Sequence, residues 1–163
     1  MDGCTIQLLL PENVSGDDNV ALGGYSPLSV FRGKPCLGRE DITFAVLGVK
    51  YRFQAKRELE EFAQDTGRYI PAFGGWCAWH MYQNVKMVPE YAHSTKGEGG
   101  VLLLFHADAD VNCLLLWDEM AAKIGEGKMM EQAERNWQGF RKLAGSVPRE
   151  DVTDENGDGK AGG

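Results

Sequence analysis

Gly48-Val49-Lys50-Tyr51-Arg52-Phe53, then Glu61-Phe62-Ala63-Gln64-Asp65-Thr66-Gly67-Arg68-Tyr69-Ile70-Pro71 and Gly74-Gly75-Trp76-Cys77-Ala78-Trp79, carry the periodicities from which the fold is read. Ile42, Phe44 and Val46 alternate with smaller or polar residues, Gly48 interrupts, and Val49, Tyr51 and Phe53 alternate again. A period of two on both sides of a glycine predicts a two-stranded hairpin, because successive strand side chains point to opposite faces. From Ala55 the period lengthens. Leu59, Phe62 and Ala63 share one helical face, Lys56, Glu58, Glu60 and Glu61 take the other, and Gly67 is placed to end the helix. The next residues, dense in Tyr, Pro, Phe, Gly and Trp, predict a tight connection into a helix over 76–86, with Gly74 and Gly75 supplying positive φ or close backbone approach.

In this order the pieces resemble the YHS domain, a small α+β module. Upstream, Val20-Ala21-Leu22-Gly23-Gly24-Tyr25-Ser26-Pro27-Leu28-Ser29-Val30-Phe31 resembles the Gly-Tyr-Asp-Pro-Val-Ala-Tyr-Phe opening of longer YHS-like proteins. Ser26 stands where Asp is usual; both residue types cap helix N-termini, and Pro27 falls at the favoured first helical position. Downstream, Ala133-Glu134-Arg135-Asn136-Trp137 resembles the Ala-Asp-x-Asn-Trp ending of the same group. The resemblance covers about Val20 to Leu143 and rests on shared order and spacing, since each motif alone is short. It implies an α+β fold, a small β-hairpin or antiparallel sheet packed with several short helices. For activity it implies little, as such proteins are often linked to metal handling or export without a well-defined biochemical role. Metal-associated YHS domains often continue Tyr-x-Phe with Cys and place a second Cys four residues later. Gln54 and Glu58 occupy those positions here. A soft-metal site needs thiolates or imidazoles, so no Zn or Cu(I) site is expected there.

The composition narrows the function classes. With 163 residues, 43% hydrophobic content and 10% aromatics, one domain can bury a core without disulfides. Seventeen basic against 24 acidic side chains, net −7, argue against a protein that reads nucleic-acid backbones and against attraction to anionic membranes. The longest apolar runs, Leu8 to Leu10, Val101 to Phe105 and Leu114 to Trp117, are far short of a bilayer span. A soluble chain is expected, with peripheral membrane association left open. Met1-Asp2-Gly3-Cys4 reads as neither secretory signal nor transit peptide, so the compartment is undecided, and a processed organellar or exported form fits as well. Cys4, Cys36, Cys77 and Cys113 are widely spaced, with no Cys-x-x-Cys pair and no implied disulfide framework. Asn13-Val14-Ser15 fits the glycosylation pattern, which is common by chance.

Along the chain, residues 1–19 read as an N-terminal arm able to pack as an edge strand through Ile6, Leu8 and Leu10. Residues 20–145 read as the YHS-like domain, and 146–163 as an acidic, Gly-rich tail expected to be disordered. Tyr91 to Gly100 reads as a polar loop and Val101 to Phe105 as a buried strand. Asp110 is placed to cap a helix carrying Val111, Leu114, Leu115 and Met120 and ending near Gly125 and Gly127. A last helix has Met130, Ala133, Trp137 and Phe140 on one face.

Chemistry concentrates at one place. Cys77 and His80 are three apart on a predicted helix and so share a face. With His106 or His93 brought near, they offer a transition-metal or haem site, or a thiolate activated by imidazole. The plainer reading makes Cys77 a small packing residue and His80 a hydrogen-bonded or surface histidine. Trp76, Trp79 and Tyr82, with Met81, form an aromatic cluster that reads as ligand pocket, core or partner interface. Asp154-x-Asn156-x-Asp158-Gly159 matches the first half of an EF-hand loop, but the twelfth, glutamate position falls past Gly163, so strong calcium binding is not expected unless the stretch belongs to a longer loop. Acid pairs such as Glu60 and Glu61, Asp108 and Asp110, or Asp118 and Glu119 show no sign of acid/base work. Lys96-Gly97-Glu98-Gly99-Gly100, with an acid in its middle, is a weak phosphate loop. The expectation is a noncatalytic binding or assembly subunit without a cofactor, docking on other proteins through aromatic and apolar surface. The alternative is a metal- or haem-binding protein using Cys77, His80 and His106. A third, a thiol oxidoreductase, requires a reactive Cys77.

Overall fold

The structure, a computed structural model, describes residues 11–16 and 18–145. Two short strands, β1 (Val14–Ser15) and β2 (Val20–Ala21), precede a helix α1 (Pro27–Phe31); the hairpin follows as β3 (Arg39–Val46) and β4 (Val49–Phe53). Leu47 and Gly48 form its turn, both at positive φ (50° and 86°) between the paired Val46 and Val49. Turns of that kind match the right-handed strand twist, which fixes the register. Val49, Tyr51 and Phe53 are buried while Lys50 and Arg52 are less so, as the period of two requires. The sheet order is β1-β2-β4-β3; β2 runs parallel to β4, so this sheet is mixed rather than wholly antiparallel.

Ser26 caps α1 as expected, its Oγ accepting from Ser29 N at 3.3 Å with Pro27 next in the chain. The following helix, α2 (Lys56–Gln64), stops before Gly67. Asp65, at φ −157° and ψ 64°, breaks it, and Gly67 instead lies inside a second short helix, α3 (Thr66–Tyr69). The break lets Tyr69 fold back, where its hydroxyl donates to Glu61 Oε2 at 3.0 Å. Glu58 has a structural task at the position where the resembled metal-binding domains carry Cys. Its Oε1 accepts from Ser26 Oγ at 2.9 Å and from Gln54 N at 2.8 Å, joining the α1 cap to the start of α2. Charged acceptors make the stronger hydrogen bonds, so Glu58→Ala is expected to lower stability by about 1–2 kcal/mol in urea unfolding, with Glu58→Gln losing less.

The remaining elements are α4 (Ala78–Tyr82), β5 (Glu90–Lys96), β6 (Leu102–Phe105), α5 (Cys113–Ile124) and α6 (Glu126–Gly145). All four β6 residues are buried, and they alternate between two cores. Leu102 and Leu104 pack with Leu28, Phe53 and Phe62; Leu103 and Phe105 pack with Cys77, Met81, Trp117 and Ala133. A strand buried on both faces explains the unbroken apolar run. It also explains β5, which the polar sequence from Tyr91 disguised as a loop. Buried β6 backbone needs a hydrogen-bonding partner, and β5 supplies an antiparallel one.

Other boundaries also differ from the expected ones. The helix predicted over 76–86 is α4 alone: Cys77 is its N-cap, and Asn84 at φ 66° lies beyond its end. Asn112, not Asp110, caps α5, its side chain accepting from Leu115 N at 3.3 Å. The inward face of α5 is therefore Cys113 and Trp117, while Val111 and Leu115 are exposed. On α6, Met129, Ala133 and Trp137 are buried, with Met130 and Phe140 partly so. Together the two sheets and the helices make an α+β fold. No helix among the described residues is long and apolar enough to cross a membrane. The edge strand expected through Ile6, Leu8 and Leu10 and the tail with Asp154 to Gly159 lie outside the described residues.

Candidate metal centre

Three pieces of chain meet at one point beneath β6. Gly74 and Gly75 take φ of 65° and 83°, and the turn they make sends Cys77 inward. A Cβ on Gly74 would lie 2.4 Å from the Trp137 ring, so only glycine allows α6 to close over this turn. The Cys77 amide donates to Met87 O at 2.8 Å, and Cys77 bridges to Leu104 of β6. His80 follows one turn along α4, on the same face. The third piece comes after β6, where Asp108 Oδ1 accepts from the amides of Asp110 and Val111 and reverses the chain. Cys113 then begins α5, its amide donating to His106 O at 3.0 Å.

His80 Nδ1 lies 3.3 Å from Cys77 Sγ and 3.7 Å from Cys113 Sγ. One donor atom from each of the three residues lies within 4.8 Å of the others, a spacing able to hold a metal ion. Both cysteines are fully buried and His80 is half-buried. Cys77 and His80 thus meet as their spacing implies, but their third partner is Cys113, one of the widely spaced cysteines. Asn112, a strong N-cap residue just ahead of it, was the available signal: it places Cys113 in a first turn, with Trp117 one turn on.

His106 stands beside the group rather than in it. Its ring centroid is 5.8 Å from that of His80, Nδ1 faces Val88 O at 3.3 Å, and Nε2 faces Asp108 Oδ2 at 3.1 Å. Both of those partners are acceptors, and they lie on opposite sides of the ring. His93 lies on β5, and Cys36 is exposed elsewhere.

Burial pushes the Cys113 thiol up to about 12, with neighbouring Cys77 adding to the effect. Burial, and then the charge of His106, hold His80 below the usual histidine range. A neutral imidazole is the ligand form, and a protonated Cys113 thiol is not an activated nucleophile.

Trp76, Trp79 and Tyr82 are half-buried and packed against the second core. Trp76 Nε1 donates to Pro11 O at 2.8 Å, and the Tyr82 ring meets that of Trp117 edge-on at 6.4 Å. Much of their surface is engaged within the chain. Asn136, from the Ala133 to Trp137 motif, donates to Met81 O at 2.8 Å and Tyr82 O at 3.2 Å, satisfying the last carbonyls of α4.

No protein-family model matches the chain, and no curated protein or solved structure matches it significantly.

Proposed function

We propose that the chain is a noncatalytic, YHS-like protein that holds one transition-metal ion through Cys77 Sγ, His80 Nδ1 and Cys113 Sγ. The observation that carries this reading is one imidazole nitrogen facing two buried thiols. Two sulfurs and one imidazole nitrogen gathered in this way make a soft donor set. A metal ion takes all three donors at once. Three donors converging on one point suit an ion better than haem, whose axial ligands approach a flat macrocycle along one line.

Assembly with other proteins is a second, compatible reading. Val88 and Val111, at 51% and 38% exposure, border the chain around His106, and Leu115 is 57% exposed on the first turns of α5. Size-exclusion of native extract tests it: a free monomer of about the 18.0 kDa chain mass would argue against it.

The metal reading is tested by titrating reduced, metal-free protein with Co(II), whose sulfur-to-cobalt charge-transfer absorption reports thiolate ligation. One equivalent is expected; absence of the band, or binding that leaves the thiols free to react, would argue against it. Binding must also displace the Cys113 proton, which the free chain holds up to about pH 12. Affinity is therefore expected to fall with falling pH, by at least about tenfold per unit below neutrality. His80, held low, competes for protons only further down. An affinity independent of pH would exclude thiolate ligands.

A further inference from the structure

We infer that the Cys77, His80 and Cys113 site is built for copper(I) in three-coordinate, two-sulfur and one-nitrogen geometry; this rests on the metal-binding reading above. The donors are two sulfurs and an imidazole nitrogen, with no carboxylate in the group. Such a set rejects hard ions and favours soft ones. The number of donors then separates the soft candidates. Zinc in proteins is almost always four-coordinate, completing its shell with a fourth side chain or a water. Among the described residues no fourth His, Cys, Asp or Glu joins the group. His106 lies beside Val88 O and Asp108 Oδ2, outside the group, and Asp108 also accepts from the amides of Asp110 and Val111. Both cysteines belong to the buried cluster that holds Ala78, Met81, Phe105 and Trp117, and the Trp117 indole N–H donates to Glu126 Oε2 at 2.8 Å. Copper(I), a singly charged d10 ion, is satisfied by three soft donors in a plane.

The spacing agrees. With metal–sulfur and metal–nitrogen bonds of about 2.3 and 2.0 Å, donors at the corners of a planar triangle sit roughly 3.7–4.0 Å apart. His80 Nδ1 is 3.3 and 3.7 Å from the two sulfurs, within tenths of an ångström of that sulfur–nitrogen spacing. Binding exchanges two thiol protons for one ion and transfers no electron.

The test is anaerobic competition of the reduced full chain against bicinchoninate for Cu(I) and against a chromophoric chelator for Zn(II), with the copper absorption edge recorded on the loaded protein. Expected are one Cu(I) per chain, a three-coordinate edge, binding at least about 1000-fold tighter than Zn(II), and retention of Cu(I) by His106→Ala but not by Cys113→Ala. Zn(II) binding as tight as Cu(I), a four-coordinate copper edge, or loss of Cu(I) in His106→Ala would overturn the copper inference while leaving a metal site in place. Binding of neither ion would overturn both.

Discussion

Replacing Cys77 and Cys113 together is expected to abolish metal binding. Loss of groups that merely orient a ligand already weakens metal sites about 10–100-fold, and here two of three direct donors disappear. Alanine is the better replacement, because serine would bring hydroxyls into a core where both sulfurs are fully buried, at a cost of about 1–3 kcal/mol each. Stability gives an independent readout. A ligand at about 1000 times its Kd adds roughly 4 kcal/mol to the folded state. Wild-type protein should therefore show a large rise in Tm with metal, and Cys77→Ala/Cys113→Ala protein should show none. A double variant that still binds one equivalent, or that is stabilised as much as the wild type, would place the metal elsewhere.

The second large effect belongs to Gly74. Its φ of 65° disfavours any side chain, and an added methyl would sit 2.4 and 2.7 Å from ring carbons of Trp137. The left-handed backbone contributes about 1 kcal/mol and overpacking a further 1–3, so Gly74→Ala should lose about 2–4 kcal/mol in denaturant unfolding. The same turn delivers Cys77, so metal affinity should fall with it. Gly67→Ala is the control. Gly67 lies within α3 with nothing within 4 Å of its would-be Cβ, and the change should be neutral or stabilising by up to about 1 kcal/mol. In a Trp137→Ala background the Gly74→Ala penalty should shrink, since the clashing ring is gone. Equal effects at Gly74 and Gly67 would contradict this packing.

What could be read from sequence was whatever depends on near neighbours. The β3–β4 hairpin follows from alternation about Gly48, the α1 cap from Ser26-Pro27, and the buried strand from the apolar run at Leu102 to Phe105. Readings failed where a distant segment decides the outcome. Residues 90–96 are polar and become strand because β6 needs a partner. Asp65 breaks α2 ahead of Gly67. The candidate site was half legible. Cys77 and His80 share a helical face by spacing alone, whereas Cys113 arrives only through the His106 to Asn112 reversal, which no local period announces. His106, a candidate ligand by residue type, stands beside the group, its ring against Val88 O and Asp108. Glu58 read only as the absence of a thiolate, and its bonds to Ser26 and Gln54 came from the fold.

The most direct test is X-ray absorption at the metal edge of protein loaded with one equivalent, compared between the wild type and Cys113→Ala. The expected inner shell is two sulfurs at about 2.3 Å and one nitrogen at about 2.0 Å, with one sulfur lost in the variant. A shell of oxygen and nitrogen only, or a sulfur count unchanged by Cys113→Ala, would show that Cys77, His80 and Cys113 do not form the metal site.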